Sequence, residues 1–253
     1  MPGGAAVLDS AGVGAAAVLG RVGASVRERG PVPVARACLG WGIGYLAGLP
    51  RAGRAGGASF VLDGEHVPYF RHSYHYTWLN ERAVEVALAR RVLAARPAAR
   101  VLEVGNVLSH YLPVRYPVVD KYERAPGVRN VDAADLAPAG DVDLVVSVST
   151  LEHLGLDEDV RDPGKPVRAI GRLVEVLAPG GTLWVTLPVG YNPDLDRQLR
   201  TGAVAFDRLS ALRRAPHRNR WTQVPVGQVW DAPYDRLLYT AHGLLIGEIT
   251  RLP

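Results

Sequence analysis

Apolar residues first recur at helical spacing at Leu19, Val22 and Val26, with Arg21, Arg27, Glu28 and Arg29 on the opposite side. The GPVP run at 30–33 breaks this segment from a second helix, since proline and glycine both interrupt a helical backbone. The pair reads as a cap packed on another part of the chain, with a membrane-surface role as the less favoured alternative. A glycine-rich joint at 53–58 leads into FVLDGEHVPYF, whose alternation predicts a hairpin turning at Asp63 and Gly64. The run HSYHYTWLNERAVEVALARRVLAA then opens a helix. Asn80 can cap it, Glu81 and Glu85 sit in its positive first turns, and Val84, Ala87, Leu88 and Val92 make its buried stripe.

From Arg100 onward the pattern alternates strand and loop, with the apolar runs that a parallel sheet buried on both faces requires. Strands are predicted at 101–105, 117–120, 129–132, 144–149 and 182–187. A helix over 167–177 separates the last two and APGG at 178–181 ends it; a further helix near 205–214 precedes two strands, WTQVPV and GLLIGEIT. This alternation predicts an α/β fold with a doubly wound, mostly parallel Rossmann-like sheet. Only about ten residues link each of the first three strands, so any helices there are a turn or two long. The organisation expected is an N-terminal helical cap and hairpin over 1–66 and a nucleoside-binding domain over 67–253.

Composition narrows the function classes. A hydrophobic share of 48% with 21% charged residues suits a globular chain of 253 residues. The net charge of +4 is carried by arginine, since Lys121 and Lys165 are the only lysines. Acids nearly balance the bases, and RRAPHRNR at 213–220 is only locally basic, so nucleic acid is not an expected partner. Cys38 stands alone, which rules out an intrachain disulfide and a cysteine-built zinc site and suits a reducing cytoplasm. Asp9 interrupts what would be a signal peptide's apolar stretch, and the uncharged apolar run between Arg36 and Arg51 falls short of the roughly 20 residues a spanning helix needs. A cytoplasmic protein without an integral-membrane contact is expected.

Ligands of an open parallel sheet bind beyond the carboxyl ends of its strands. Those positions are Glu103 to Asn106, Asp120, Asp132 and Ser149 to His153. Acids there oppose a pyrophosphate, which wants backbone N–H groups and glycines, and the turn EVGNVLSHY has one glycine where a dinucleotide fingerprint needs three. A cofactor with an ammonium, a sulfonium, a ribose diol and an adenine amino group is better matched. An Asp at a strand end is often only a turn former, but three acids after successive strands favour the cofactor reading.

The segments TWLNERAVE, VLEVGNVLSHY, VVDKYE, NVDAADL, SVSTLEHLG and LAPGGTLWVTLPVGYN, in that order and spacing, resemble class I S-adenosylmethionine-dependent methyltransferases. The core match spans 100–192, and 68–251 is similar to bacterial members linked to glycan or small natural-product pathways. The resemblance implies S-adenosyl-L-methionine as cofactor. It would place Glu103, Gly105 and Asn106 in the first cofactor loop, Asp120 with the neighbouring Lys121 at the ribose, Asp132 and Ala133 at the adenine, and Ser149 beneath the sulfonium. The family's fuller glycine-rich loop is replaced here by Asn106 and Val107 after Gly105.

Glu152 and His153 are the candidate catalytic pair, with His153 as the base if the acceptor is a hydroxyl and a packed structural histidine as the alternative. Some ubiquinone-pathway O-methyltransferases resemble this stretch and hold a metal there, on a carboxylate followed three positions later by Glu-His. Ser149 replaces that first carboxylate, so no metal is expected. Tyr74, Tyr76, His110, Tyr191 and Asn192 suit acceptor binding by stacking or hydrogen bonding; His72 is a further candidate base, and Trp78 reads better as core. The function expected is methyl transfer to an oxygen, or less readily a nitrogen, of a small natural product or saccharide. The alternatives are a nucleotide-dependent oxidoreductase or epimerase and a non-catalytic partner subunit. The partners expected are a small-molecule acceptor and, as an open option, a second copy of the chain as a homodimer.

Overall fold

Gly30, at φ +85°, separates two helices, α1 (Ala15–Arg29) and α2 (Pro31–Gly48), where the GPVP run predicts a break. The computed structural model describes residues 15–49, 57–216 and 218–252. A hairpin follows, β1 (Ser59–Leu62) and β2 (Glu65–Pro68), turning on Asp63 at φ 51° and Gly64 at φ 81°, both positive as a type I′ turn requires. Phe60 and Val67 are buried in the core, and the Asp63 N–H donates to Gln223 at 2.8 Å, which pins the hairpin to the body.

Helix α3 (Arg82–Ala94) begins where Asn80 Oδ1 accepts the Arg82 N–H at 3.1 Å. It is buried from Ala83 through Ala89, on more faces than the stripe predicted for it. The preceding turn of 3-10 helix, Tyr74–Leu79, is interrupted at His75 and Tyr76, whose φ angles of 49° and 48° are left-handed.

The main sheet is built from β3 (Val101–Val104), β4 (Val118–Val119), β5 (Val128–Arg129), β6 (Val142–Val148) and β7 (Leu177–Pro188), all parallel to their neighbours. Helices α4 (Lys165–Val176) and α5 (Pro193–Arg200) flank β7 in sequence, and the chain continues through β8 (Arg208–Arg214) and β9 (Trp221–Val224). A short β10–β11 ribbon (Tyr234–Asp235 and Thr240–Ala241) precedes β12 (Gly243–Thr250). The order across the sheet is β5-β4-β3-β6-β7-β12-β8-β9, with β12 reversed between β7 and β8. This is the doubly wound, mostly parallel Rossmann-like arrangement expected. One face packs Ala169, Ile170, Leu173 and Val176 of α4 on Val145, Val185 and Leu245. The other packs Val84, Ala87 and Leu88 of α3 on Leu144, Val146, Trp184 and Leu244. Adjacent strand residues serve opposite layers, which explains the unbroken apolar runs.

Two expectations are corrected. The segment near 205–214 is a strand, β8, and not a helix: its Leu, Ala and Arg favour helix locally, but six rungs with β12 on one side and four with β9 on the other override that preference. APGG does not end α4, which stops at Val176; Ala178 to Gly181 already belong to β7. The links between β3, β4 and β5 hold only a 3-10 turn, Leu108–His110, so the chain crosses over there without an α-helix.

Candidate active site

The carboxyl ends of β3, β4, β5 and β6 adjoin one another through direct contacts. Gly105, at φ +84°, turns the chain after β3, and a Cβ there would lie 2.0 Å from Thr150 Oγ1 in the loop after β6. Asn106 N–H donates to Asp120 Oδ2 at 3.0 Å, and Asp120 Oδ1 accepts from Tyr122 and Glu123 N–H at 2.8 and 2.7 Å. Asp132 caps the turn after β5 by accepting the Ala134 N–H at 3.0 Å, with Ala133 buried beneath. Its other oxygen receives Lys165 at 2.5 Å and Lys121 at 2.9 Å, and both ammonium groups also reach Glu158. Burial disfavours ionised Asp132, but these partners outweigh it and hold its pKa below the usual value. The chain's two lysines thus converge on one strand tip.

Glu103 is fully buried and turns back under its own loop. Its Oε1 accepts the Val107 and Leu108 N–H groups at 3.0 and 2.7 Å. Burial pushes its carboxyl up to about 7 despite those bonds. It shapes the loop rather than facing outward.

A second layer of charge comes from α3. Glu85, fully buried, accepts hydrogen bonds from the Ser149 hydroxyl, from Thr186 Oγ1 at 2.7 Å and from Arg82 at 2.7 Å. Ser149 itself sits at φ 40°, a costly conformation for a residue with a Cβ, held by this bond and by its N–H on Thr186. Glu81 is buried beside this cluster and accepts the Ala241 N–H at 3.0 Å. Burial raises its pKa, and Glu85 adds to the effect.

Glu152 and His153 lie just past β6. Glu152 is buried with Oε2 unpartnered, and burial lifts its carboxyl to about 7, partly offset by His153. His153 is one-third exposed; its Nδ1 lies 2.5 Å from Asp157 Oδ2 and its Nε2 3.7 Å from Glu152. Burial opposes the imidazolium, but Asp157 and Glu152 outweigh it and raise the pKa above that of a free histidine. Tyr191 donates to the same Asp157 carboxylate, shares a 2.7 Å hydrogen bond with Tyr239, and packs its ring 4.5 Å from His153. A carboxylate on one imidazole nitrogen fixes the ring, and the other nitrogen faces Glu152, an arrangement that can orient a base.

The remaining candidates divide. Tyr74 is sandwiched between His75 and His110, with ring centroids at 4.2 and 4.6 Å, and His110 also pairs with Glu123 at 3.1 Å. Tyr76 instead meets Trp41, Tyr45 and Trp78, under the cap. Trp78 is buried against Gly48 as core, and His72 accepts the Tyr74 N–H at 3.1 Å. Asn192 is buried, caps α5 through Asp194 and Leu195, and donates to the Glu152 carbonyl at 2.9 Å, so its amide is spent on structure. Arg213 pairs with Asp231, and Arg214 donates to the Leu79 carbonyl. Among the described residues no group of three or more His, Cys, Asp or Glu could hold a metal ion.

Sequence reasoning missed Asp157, Arg82, Glu85 and Lys165. The His153–Asp157 pair is closed by a non-helical turn through extended Leu154 and Gly155 at φ 66°, with the Asp157 N–H on the His153 carbonyl at 3.0 Å, so helical spacing was not a signal for it. Nothing in the sequence shows that Glu81 and Glu85 are buried rather than solvated at a helix start.

No family model matches the chain and no curated protein matches it. Several solved structures are similar. A SAM-dependent methyltransferase from Thermotoga maritima, a possible histamine N-methyltransferase, is 16% identical over 66% of this chain and 87% of its own, with a TM-score of 0.39. The N-methyltransferase NodS from Bradyrhizobium japonicum, in complex with S-adenosyl-L-homocysteine, is 14% identical over 66% of this chain and 87% of its own, at TM-score 0.37. The [4+2]-cyclase SpnF is 16% identical over 83% and 91%, at TM-score 0.43.

Proposed function

We propose that the protein is an S-adenosylmethionine-dependent methyltransferase acting on a hydroxyl oxygen, with nitrogen as the second choice, of a small natural product or saccharide. The observation that carries this reading is the set of adjoining strand tips bearing Gly105, Asp120 and Asp132, beside the Asp157–His153 pair. The residues fit the cofactor. Asp120 accepts three N–H groups, leaving one of a carboxylate's roughly four acceptor sites for a ribose hydroxyl. Asp132 Oδ1 accepts a single N–H and has room for an adenine amino group. The unpartnered Glu152 oxygen is an acceptor free for a cationic group of the cofactor.

When bound, the cofactor supplies an electrophilic methyl carbon on a sulfonium. The protein aligns the acceptor and removes its proton. His153 takes that proton on Nε2, while Asp157 holds Nδ1–H and fixes the tautomer. Tyr191, packed beside His153, and Tyr239, hydrogen-bonded to Tyr191, suit the apolar face of a sugar or aromatic ring. Titration calorimetry with S-adenosylhomocysteine tests the cofactor reading. Wild type binds, and Asp120→Ala weakens binding at least tenfold, about 1.4 kcal/mol. Equal affinities remove Asp120 from the site, and no binding by wild type refutes the cofactor. A mass gain of one methyl group on candidate acceptors then identifies the substrate.

A further inference from the structure

The exposed large apolar side chains are concentrated on the two N-terminal helices. On α2, Val32, Leu39, Ile43 and Leu46 are 59, 65, 60 and 65% exposed, and on α1 Leu19 is 69% exposed. The four α2 residues fall on one stripe at helical spacing, and exposed Arg36 lies on the same stripe. The opposite side of α2 is engaged: Trp41 and Tyr45 pack on Tyr76, and Gly48 abuts Trp78. Among the described residues the helix is therefore docked on its inner side, while the apolar stripe on its outer side is exposed. The charge distribution is equally uneven. The first 54 residues hold six arginines against Asp9 and Glu28, so they carry the whole formal charge of +4 and the rest of the chain is balanced.

We propose that this outer face lies on the surface of a bilayer containing anionic lipid, with α2 parallel to the membrane plane. Leu39, Ile43 and Leu46 would enter the acyl boundary while Arg36 extends its guanidinium to the headgroups. Exposed Arg36 on the apolar stripe, in a helix without any acid, matches a negatively charged lipid surface. It does not match the same stripe of a second copy of the chain, since α2 contains no acidic residue to pair with Arg36. The attachment is interfacial, since no helix of the described residues is long and apolar enough to cross a membrane.

Vesicle co-sedimentation of the full chain tests the proposal, comparing pure phosphatidylcholine with vesicles containing about one-third phosphatidylglycerol. Binding is expected to the anionic vesicles only and to fall as salt rises. The triple variant Leu39→Ser, Ile43→Ser, Leu46→Ser, checked for unchanged circular dichroism and melting, should lose at least tenfold in partitioning. Arg36→Glu, which leaves the apolar stripe intact, should also weaken it. Equal binding to both vesicle types, or no binding, overturns the proposal. So does a wild-type dimer in solution that the triple variant converts to monomer without any vesicle binding by wild type.

Discussion

Replacing Glu85 with leucine removes the acceptor that ties α3 to the tips of β6 and β7. The substitution keeps the side-chain bulk but leaves the Arg82 guanidinium, 18% exposed, without its partner. Breaking a buried ion pair from one side costs about 3–5 kcal/mol, because the surviving charge stays buried. The Ser149 hydroxyl also loses its acceptor, whereas Thr186 Oγ1 keeps the Ser149 N–H and loses less. A total near 4 kcal/mol, at about 2–4 °C per kcal/mol for a chain of this size, lowers Tm by about 10 °C. The cost is one of isolation rather than of lost attraction, so removing both charges should restore much of it.

Urea and thermal unfolding followed by circular dichroism measure these effects in Glu85→Leu, Arg82→Met and the double variant. The double variant is expected to recover at least half of what Glu85→Leu loses. Cofactor affinity should fall in the single variant too, since Ser149 holds φ 40° only while Glu85 and Thr186 grip it. A single-variant loss below about 1 kcal/mol, or a double variant less stable than either single, would show that the ion pair does not organise the strand tips.

Three further outcomes follow from the same geometry. Gly105→Ala should fold poorly and bind S-adenosylhomocysteine at least tenfold more weakly, about 1.4 kcal/mol, because both φ +84° and the contact with Thr150 exclude a Cβ; calorimetry with normal affinity would refute this. Glu103 and Glu152 titrate near 7 in the fold but near 4.5 when unfolded, so the folded state binds protons more tightly between those values. Stability is then greatest below pH 4.5 as far as these groups are concerned and declines through pH 7, each contributing on the order of 3 kcal/mol; Glu152→Gln should flatten the slope in urea titrations at pH 5 and 8. Asp157→Asn should lower the kinetic pKa assigned to His153 and reduce kcat with little change in KM, whereas an unmoved pH profile would leave Asp157 a structural residue.

The parts of this fold legible in the sequence are those whose pattern serves one purpose. VLEVG and LVVSVS are apolar on both faces because both are covered, and the hairpin turn at Asp63–Gly64 is readable because only a few residues accept positive φ. β8 was not legible because its residues favour helix while the sheet needs a strand between β12 and β9. At the site, Asp120 and Asp132 could be located from strand ends alone. Glu81 and Glu85 looked like ordinary first-turn acids, since a helix start and a buried ionic cluster call for the same residues and only the covering by β6 and β7 tells them apart. Tyr76 shares with Tyr74 the aromatic chemistry that suits acceptor binding, but two consecutive left-handed residues turn it towards Trp41 and Tyr45 of the cap.

The first loop also bears on the competing reading, a dinucleotide enzyme. A pyrophosphate needs free backbone N–H groups at the loop between the first strand and its helix, and it gains from that helix's N-terminus. Here the Gly105 N–H is bonded to the Val119 carbonyl, that of Asn106 to Asp120, and those of Val107 and Leu108 to Glu103. Only a 3-10 turn follows, with no α-helix to lend its dipole. Every donor that would cradle phosphate is already committed, and two of the acceptors are carboxylates that would repel it. Releasing those N–H groups would leave Glu103 buried and unsatisfied, at about 1–3 kcal/mol or more. A cofactor without phosphate asks for no such release, which is why the loop can keep one glycine and fill the remaining positions with Asn106 and Val107.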